Sequence, residues 1–183
     1  MYTFATEPYE HQQQVFNDSW QRPYFGLFME MGTGKSKVAI DTMGALYEAK
    51  EINTALVIAP KGVFDNWVKK EIPAHLPERI QTKMVKWQPN FTKKFREAIQ
   101  EIADPEKREP GFLHILVMNP EAFSTAKGAT AAERFVKLNP NGITILDEST
   151  TIKNKGAQRT KNLIKIGQMS KYRRILTGSH ITK

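Results

Sequence analysis

Cysteine is absent from the 183 residues, so no disulfide framework and no thiolate metal site can be built. The four histidines, His11, His75, His114 and His180, are scattered without metal-ligand spacing. No apolar run approaches the ~20 residues needed to span a bilayer, and the first residues, MYTFATEPYEH, lack the basic-then-apolar layout of a secretory leader. These absences set the expectation of a cytoplasmic protein with no membrane partner. Acidic residues are missing from residues 149–183, which carry nine Lys/Arg, whereas residues 1–148 hold 18 Lys/Arg and 19 Asp/Glu. The net charge of +8 therefore belongs to the last fifth of the chain. Charge alone leaves two readings open, a surface for a phosphate backbone and a solvated basic face.

What is present is a soluble globular mixture, 40% hydrophobic and 25% charged, of a length that suits one domain. Short β-like runs alternate with helical patterns. Strands are expected at Tyr24 to Phe28, Thr54 to Ala59, Lys83 to Trp87, Phe112 to Met118, Ile143 to Leu146 and Arg174 to Thr177. Several are continuously apolar, as strands covered on both faces must be. Helices are expected from Thr6 to Trp20, Lys35 to Lys50, through Val63, Trp67, Val68 and Ile72, and over Phe91 to Ala103, Ala129 to Leu138 and Ala157 to Ile166. The alternation predicts an α/β fold, a mostly parallel sheet sandwiched by helices, with ligands at the carboxyl ends of the strands.

The stretch MEMGTGKSK, residues 29–37, lies between a predicted strand and a predicted helix. Gly32 and Gly34 let the backbone, with Met31 and Thr33, close on an anion. Lys35 brings a cation to terminal phosphates, and the Ser36 hydroxyl can ligate Mg²⁺. The usual phosphate-loop spacing has glycine where this chain has Met29. Asp147 and Glu148 follow the apolar run ITIL, so both emerge at a strand's carboxyl end. Asp147 is placed to hold Mg²⁺, and Glu148 to orient and deprotonate an attacking water. Trp67 is expected in the core, with Val63 and Val68. Trp87 and Phe91 are interleaved with lysines, but packing is favoured over base stacking because Phe91 and Phe95 fit the apolar face of a helix.

MEMGTGKS and LDEST resemble motifs I and II of superfamily-two helicases and translocases. YEHQQ resembles the Q motif, LVIAPKGVFDNWVKKE motif Ia of the Swi/Snf-like branch, VMNPEAFST motif Ib, DESTTIKN that branch's extended motif II, and LTGSHITK motif III. The resemblance covers essentially the whole chain. It implies a RecA-like P-loop NTPase domain over residues 1–183, with residues 1–20 as its Q-motif region. It also implies ATP and Mg²⁺ as cofactors, with Gln12 reading adenine. Lys61, Ser124, Thr125 and Lys153 would contact nucleic acid, DNA rather than RNA, through phosphates. Thr177, Gly178 and Ser179 would form the coupling motif. Three departures stand out: DEST replaces the usual DEAH or DEGH, His180 replaces a proline, and motifs IV to VI do not occur in these residues.

The first expectation is thus the ATP-binding lobe of a DNA translocase or helicase, completed by a second RecA-like lobe in cis or in trans. The alternative is a stand-alone ATP- and DNA-binding module with negligible turnover. A small-molecule P-loop kinase would not require motifs Ia, Ib and III in this order. Compact motif spacing leans towards a bacterial or phage-encoded protein.

Overall fold

The computed structural model describes residues 1–147 and 157–178. Its centre is a six-stranded sheet, all parallel, in the order β1-β6-β5-β2-β4-β3. The strands are β1 (Tyr24–Phe28), β2 (Thr54–Ile58), β3 (Thr82–Lys86), β4 (Leu113–Met118), β5 (Ile143–Asp147) and β6 (Tyr172–Thr177). Each lies within two residues of the segment expected from sequence.

Alternation along the strands divides the core into two layers, because successive side chains point to opposite faces of a sheet. Ala55, Val57, Ile115, Val117, Ile143 and Ile145 point to one face. There they meet α1 (Glu10–Ser19) and α2 (Lys35–Glu48), together with a helix made of α3 (Phe64–Asn66), a π-helical turn (Trp67–Glu71) and α4 (Ile72–His75). Leu56, Ile58, Leu116, Met118 and Leu146 point to the other face. They are covered by α5 (Lys93–Ala103), α6 (Ala126–Leu138) and α7 (Gln158–Gln168). The edge strand β3 carries lysines that discourage further strand pairing. Lys83 bridges Glu101 at 2.8 Å and Glu109 at 2.6 Å, and Lys86 pairs with Asp65.

Several boundaries differ from expectation for local reasons. Helix α1 begins at Glu10 rather than Thr6, since Tyr9 is extended. The preceding chain instead lays Tyr2 and Phe4 against Phe16, with ring centroids 5.8 and 5.1 Å away. Helix α6 starts at Ala126, where Thr125 accepts a capping bond from Gly128 N–H at 3.0 Å. A 3₁₀ turn at Pro120–Ser124 was not expected. Trp87, Phe91 and Phe95 pack edge-to-face at 5.4–5.7 Å, as the packing reading expected, although Phe91 precedes α5 rather than lying on its face.

Several basic side chains among the described residues of the C-terminal fifth have partners within the fold. Lys165 pairs with Glu133 at 3.0 Å, and Lys171, at the sheet end opposite the phosphate loop, pairs with Glu51 at 2.6 Å. Arg173 lies over the Tyr24 ring at 3.7 Å, and Arg174 is 1% exposed. Each of these four side chains has a partner within the fold, whereas charge alone left both readings of the segment open.

Candidate nucleotide-binding site

The loop after β1 takes its shape from two glycines in the left-handed region, Gly32 (φ 79°) and Gly34 (φ 82°). Gly34 is also the N-cap of α2. A Cβ at Gly34 would come within 2.2 Å of Gln12 Nε2, so a side chain here would have to displace the Gln12 amide as well as adopt a left-handed φ. The amino end of α2 presents backbone N–H groups that the helix itself cannot satisfy, along with the positive end of its dipole. An anion suits that end.

Lys35 donates to the carbonyls of Met29 (3.0 Å) and Glu30 (2.9 Å), and Thr33 Oγ1 donates to Glu30 O at 2.6 Å. Among the described residues Lys35 forms no ion pair. Its ammonium is therefore held over the loop by neutral carbonyls, and phosphate oxygens are stronger partners for it. Ser36 lies in the first turn of α2, half-buried, and Met31 stands 84% exposed at the loop's tip.

Gln12 is only 4% exposed and braces the loop from α1. Its Nε2 donates to Thr33 O at 2.9 Å, and its Oε1 accepts from Tyr9 N–H at 3.0 Å. His11 Nε2 also faces Thr33 O at 3.2 Å. The structure thus gives Gln12 a loop-supporting role that the sequence did not disclose.

Strand order completes the site. β6 lies between β1 and β5, with Phe28 opposite Thr177 and Asp147 opposite Leu176. The phosphate loop, Thr177–Gly178 and Asp147 therefore leave three adjacent strands at the same end of the sheet. A Cβ at Gly178 would stand 2.8 Å from Met31 Cγ and 3.5 Å from Lys35 Nζ, so this segment lies directly against the loop. Asp147 Oδ2 accepts a 2.7 Å hydrogen bond from the indole N–H of Trp67. Trp67 is 0% exposed, in the core as expected, but sequence gave no sign of this polar contact. The donor set fits a nucleotide triphosphate with its divalent cation: an ammonium, glycine-shaped backbone and a helix amino end for the phosphates, a hydroxyl and a carboxylate for Mg²⁺.

At the same sheet end, exposed Lys61 follows β2 and Ser124 and Thr125 follow β4. Lys61 and Thr125 line a groove with Phe64, Trp87, Asn119 and Lys127. The Thr125 hydroxyl is already engaged, donating to Ala122 O at 2.8 Å and accepting from Gly128 N–H. Glu148, Lys153 and Ser179 lie outside the described residues.

Known proteins share this fold. The chain is 28% identical over 181 residues to Protein CHROMATIN REMODELING 24 of Arabidopsis thaliana, covering 97% of this chain and 16% of that protein. Its fold is similar to the Sulfolobus solfataricus SWI2/SNF2 ATPase core in complex with dsDNA, with a TM-score of 0.71 and 20% identity over 98% of this chain and 34% of that one. It is also similar to the UvsW helicase from bacteriophage T4, with a TM-score of 0.64 and 11% identity over 95% of this chain and 53% of that one. The chain thus spans a sixth to about half the length of these relatives. The model of the SNF2-related domain matches residues 14–183, and the chain belongs to that family.

Proposed function

We propose that the chain is the ATP-binding lobe of an ATP-dependent DNA translocase or helicase of the Swi/Snf-like type. The observation that carries this reading is the meeting of the phosphate loop, Thr177–Gly178 and Asp147 on adjacent strands β1, β6 and β5. In this reading Lys35 leaves the carbonyls of Met29 and Glu30 for the terminal phosphates, while Gly32, Thr33 and Gly34 wrap them with backbone N–H groups. Ser36 and Asp147 hold Mg²⁺, which neutralises charge building on the transferred phosphoryl group. Glu148 accepts the proton of the attacking water. Gln12 fixes the loop and offers the rest of its amide to the adenine edge. Lys61, Ser124 and Lys153 meet the phosphates of duplex DNA, so binding is salt-sensitive and only weakly sequence-dependent. The working place of such an engine is the cytoplasm.

A second RecA-like lobe, in cis or in trans, supplies the arginines that meet transition-state charge, a contribution worth ~10³ or more in rate. For these 183 residues taken by themselves, the second reading is a module that binds ATP and DNA with negligible turnover. Steady-state ATP hydrolysis with and without duplex DNA tests both. The two-lobe protein is expected to accelerate with DNA, and its Glu148→Gln variant to bind ATP without turnover. Persistent turnover in that variant removes Glu148 from the mechanism. Rapid DNA-stimulated hydrolysis by the 183 residues alone overturns the need for a second lobe.

A further inference from the structure

The geometry points to Trp67 as a positioning residue for the magnesium carboxylate, acting through its indole N–H on Asp147. The donor and acceptor are 80 positions apart in sequence and meet at 2.7 Å. A bond between an N–H and a carboxylate is charge-assisted and sets the direction of the acceptor oxygen. The indole cannot swing away, because it is fully buried in the core layer with Ile72 and Leu76.

The backbone around Trp67 is arranged to deliver this contact. Ile72 N–H donates to Trp67 O, the five-residue step of a π turn. In an α-helix residues five apart point about 140° away from each other, yet Trp67 and Ile72 are both buried in one layer. The wide turn brings them towards a common face. Pro73 follows directly and has no N–H to extend an α-helical ladder back through this segment. Asn66 Nδ2 donates to Glu71 Oε1 at 3.2 Å and ties the two ends of the turn together. Single-turn π insertions are frequent at functional sites, and here the turn aims one N–H at the carboxylate.

β5 fixes the backbone of Asp147 through its pairing with β6, while Trp67 fixes the plane of its carboxylate. The coordinating oxygens are thereby oriented before a cation arrives, the role that partners of metal ligands play elsewhere. Nothing in this role requires Trp67 to touch nucleotide or metal.

The inference rests on the assignment of Asp147 to Mg²⁺ given above, and its test separates the two. The 183-residue chain, with its Trp67→Phe and Asp147→Asn variants, is titrated with a fluorescent ATP analogue at fixed and at varied Mg²⁺. Trp67→Phe keeps an apolar aromatic ring and deletes the N–H donor together with part of the indole's buried volume. It is expected to bind the analogue without Mg²⁺ as the unmodified chain does, but to need ~10- to 100-fold more Mg²⁺ for half-saturation of the Mg²⁺-dependent binding. Unchanged Mg²⁺ dependence in a folded Trp67→Phe variant, with Asp147→Asn impaired, rejects the positioning role alone. Unchanged Mg²⁺ dependence in Asp147→Asn rejects the carboxylate assignment itself. Should Trp67→Phe fail to fold, the ¹⁵N-labelled indole resonances of the three tryptophans decide. That of Trp67 is expected to move upfield in Asp147→Asn while those of Trp20 and Trp87 stay, and a Trp67 signal indifferent to Asp147→Asn refutes the contact.

Discussion

Arg174 holds the Q-motif helix to the sheet, and its replacement by methionine gives a quantitative test of that role. The side chain is 1% exposed on β6. Its Nη2 donates to the carbonyls of Ser19 (2.8 Å) and Trp20 (3.2 Å) at the carboxyl end of α1, and Nη1 to Arg173 O at 2.8 Å. Among the described residues no carboxylate pairs with it, and burial lowers the guanidinium to about 10. Its charge is therefore met by helix-end carbonyls and by the negative end of the α1 dipole. Each hydrogen bond from a charged donor contributes about 1.5–3 kcal/mol. Removing the charge also relieves its desolvation, which offsets part of that loss. Arg174→Met is expected to cost a net ~3 kcal/mol, mainly from carbonyls left buried without donors. For a domain of this size about 1 kcal/mol moves Tm by ~2–4 °C, so the melting temperature by circular dichroism should fall ~6–12 °C. Arg174→Lys, which retains charge but not the fork, should lie between the two. A fall under ~2 °C in Arg174→Met would refute the argument, because the helix-end carbonyls would then have found other donors at no cost.

Gly34→Ala forces a left-handed residue at a cost of ~1–2 kcal/mol and drives its Cβ into Gln12 Nε2. Isothermal titration should show ATP binding weakened at least ~10-fold, and wild-type affinity would deny Gln12 its bracing role. Buried His114 is held below its ordinary value by desolvation and then by Arg108 and Lys83. The unfolded chain thus takes up its proton first, so this contribution is full above pH ~6.5 and is drawn down as pH falls below it. Asp41 has the opposite sign. Desolvation raises it to about 6 against the pull of Lys37, so its contribution is present below pH ~4 and lost as pH rises through about 6. The Tm gap between wild type and His114→Gln should therefore narrow from pH 7 to pH 5, and a constant gap would place His114 in a solvated setting.

The parts of this fold that sequence discloses are those with local causes. The central strands β2, β4 and β5 are the most legible, because a parallel strand covered on both faces is apolar nearly throughout, and Gly, Pro or Asn punctuate strand ends. The phosphate loop is legible because the glycines, lysine and serine that shape it are contiguous. The π turn at Trp67–Glu71 has no such signature beyond the proline that follows it. Gln12 on Thr33, Trp67 on Asp147 and Arg174 on α1 join residues 21 to 155 positions apart. Contacts of that range follow from strand order, and no local periodicity encodes strand order. The partners of the basic terminal segment are hidden for the same reason, since Glu133 and Glu51, which pair with Lys165 and Lys171, are distant in sequence.

Strand order also explains why one short strand carries so much of the site. β6 is inserted between the strand that launches the phosphate loop and the strand that ends in Asp147. From its interior Arg174 grips α1, and α1 in turn sends Gln12 to Thr33 of the loop. At its end Gly178 lies against Met31 and Lys35, so that a Cβ there would stand 2.8 Å from Met31 Cγ. A displacement of β6 along its axis would therefore reach the phosphate loop by two routes, through the Q-motif helix and through direct contact, and would shear the pairing that holds Asp147. The proposed function, in which the terminal phosphate is sensed, calls for one rigid element in touch with both Lys35 and Asp147. In this sheet the element that satisfies that requirement is β6.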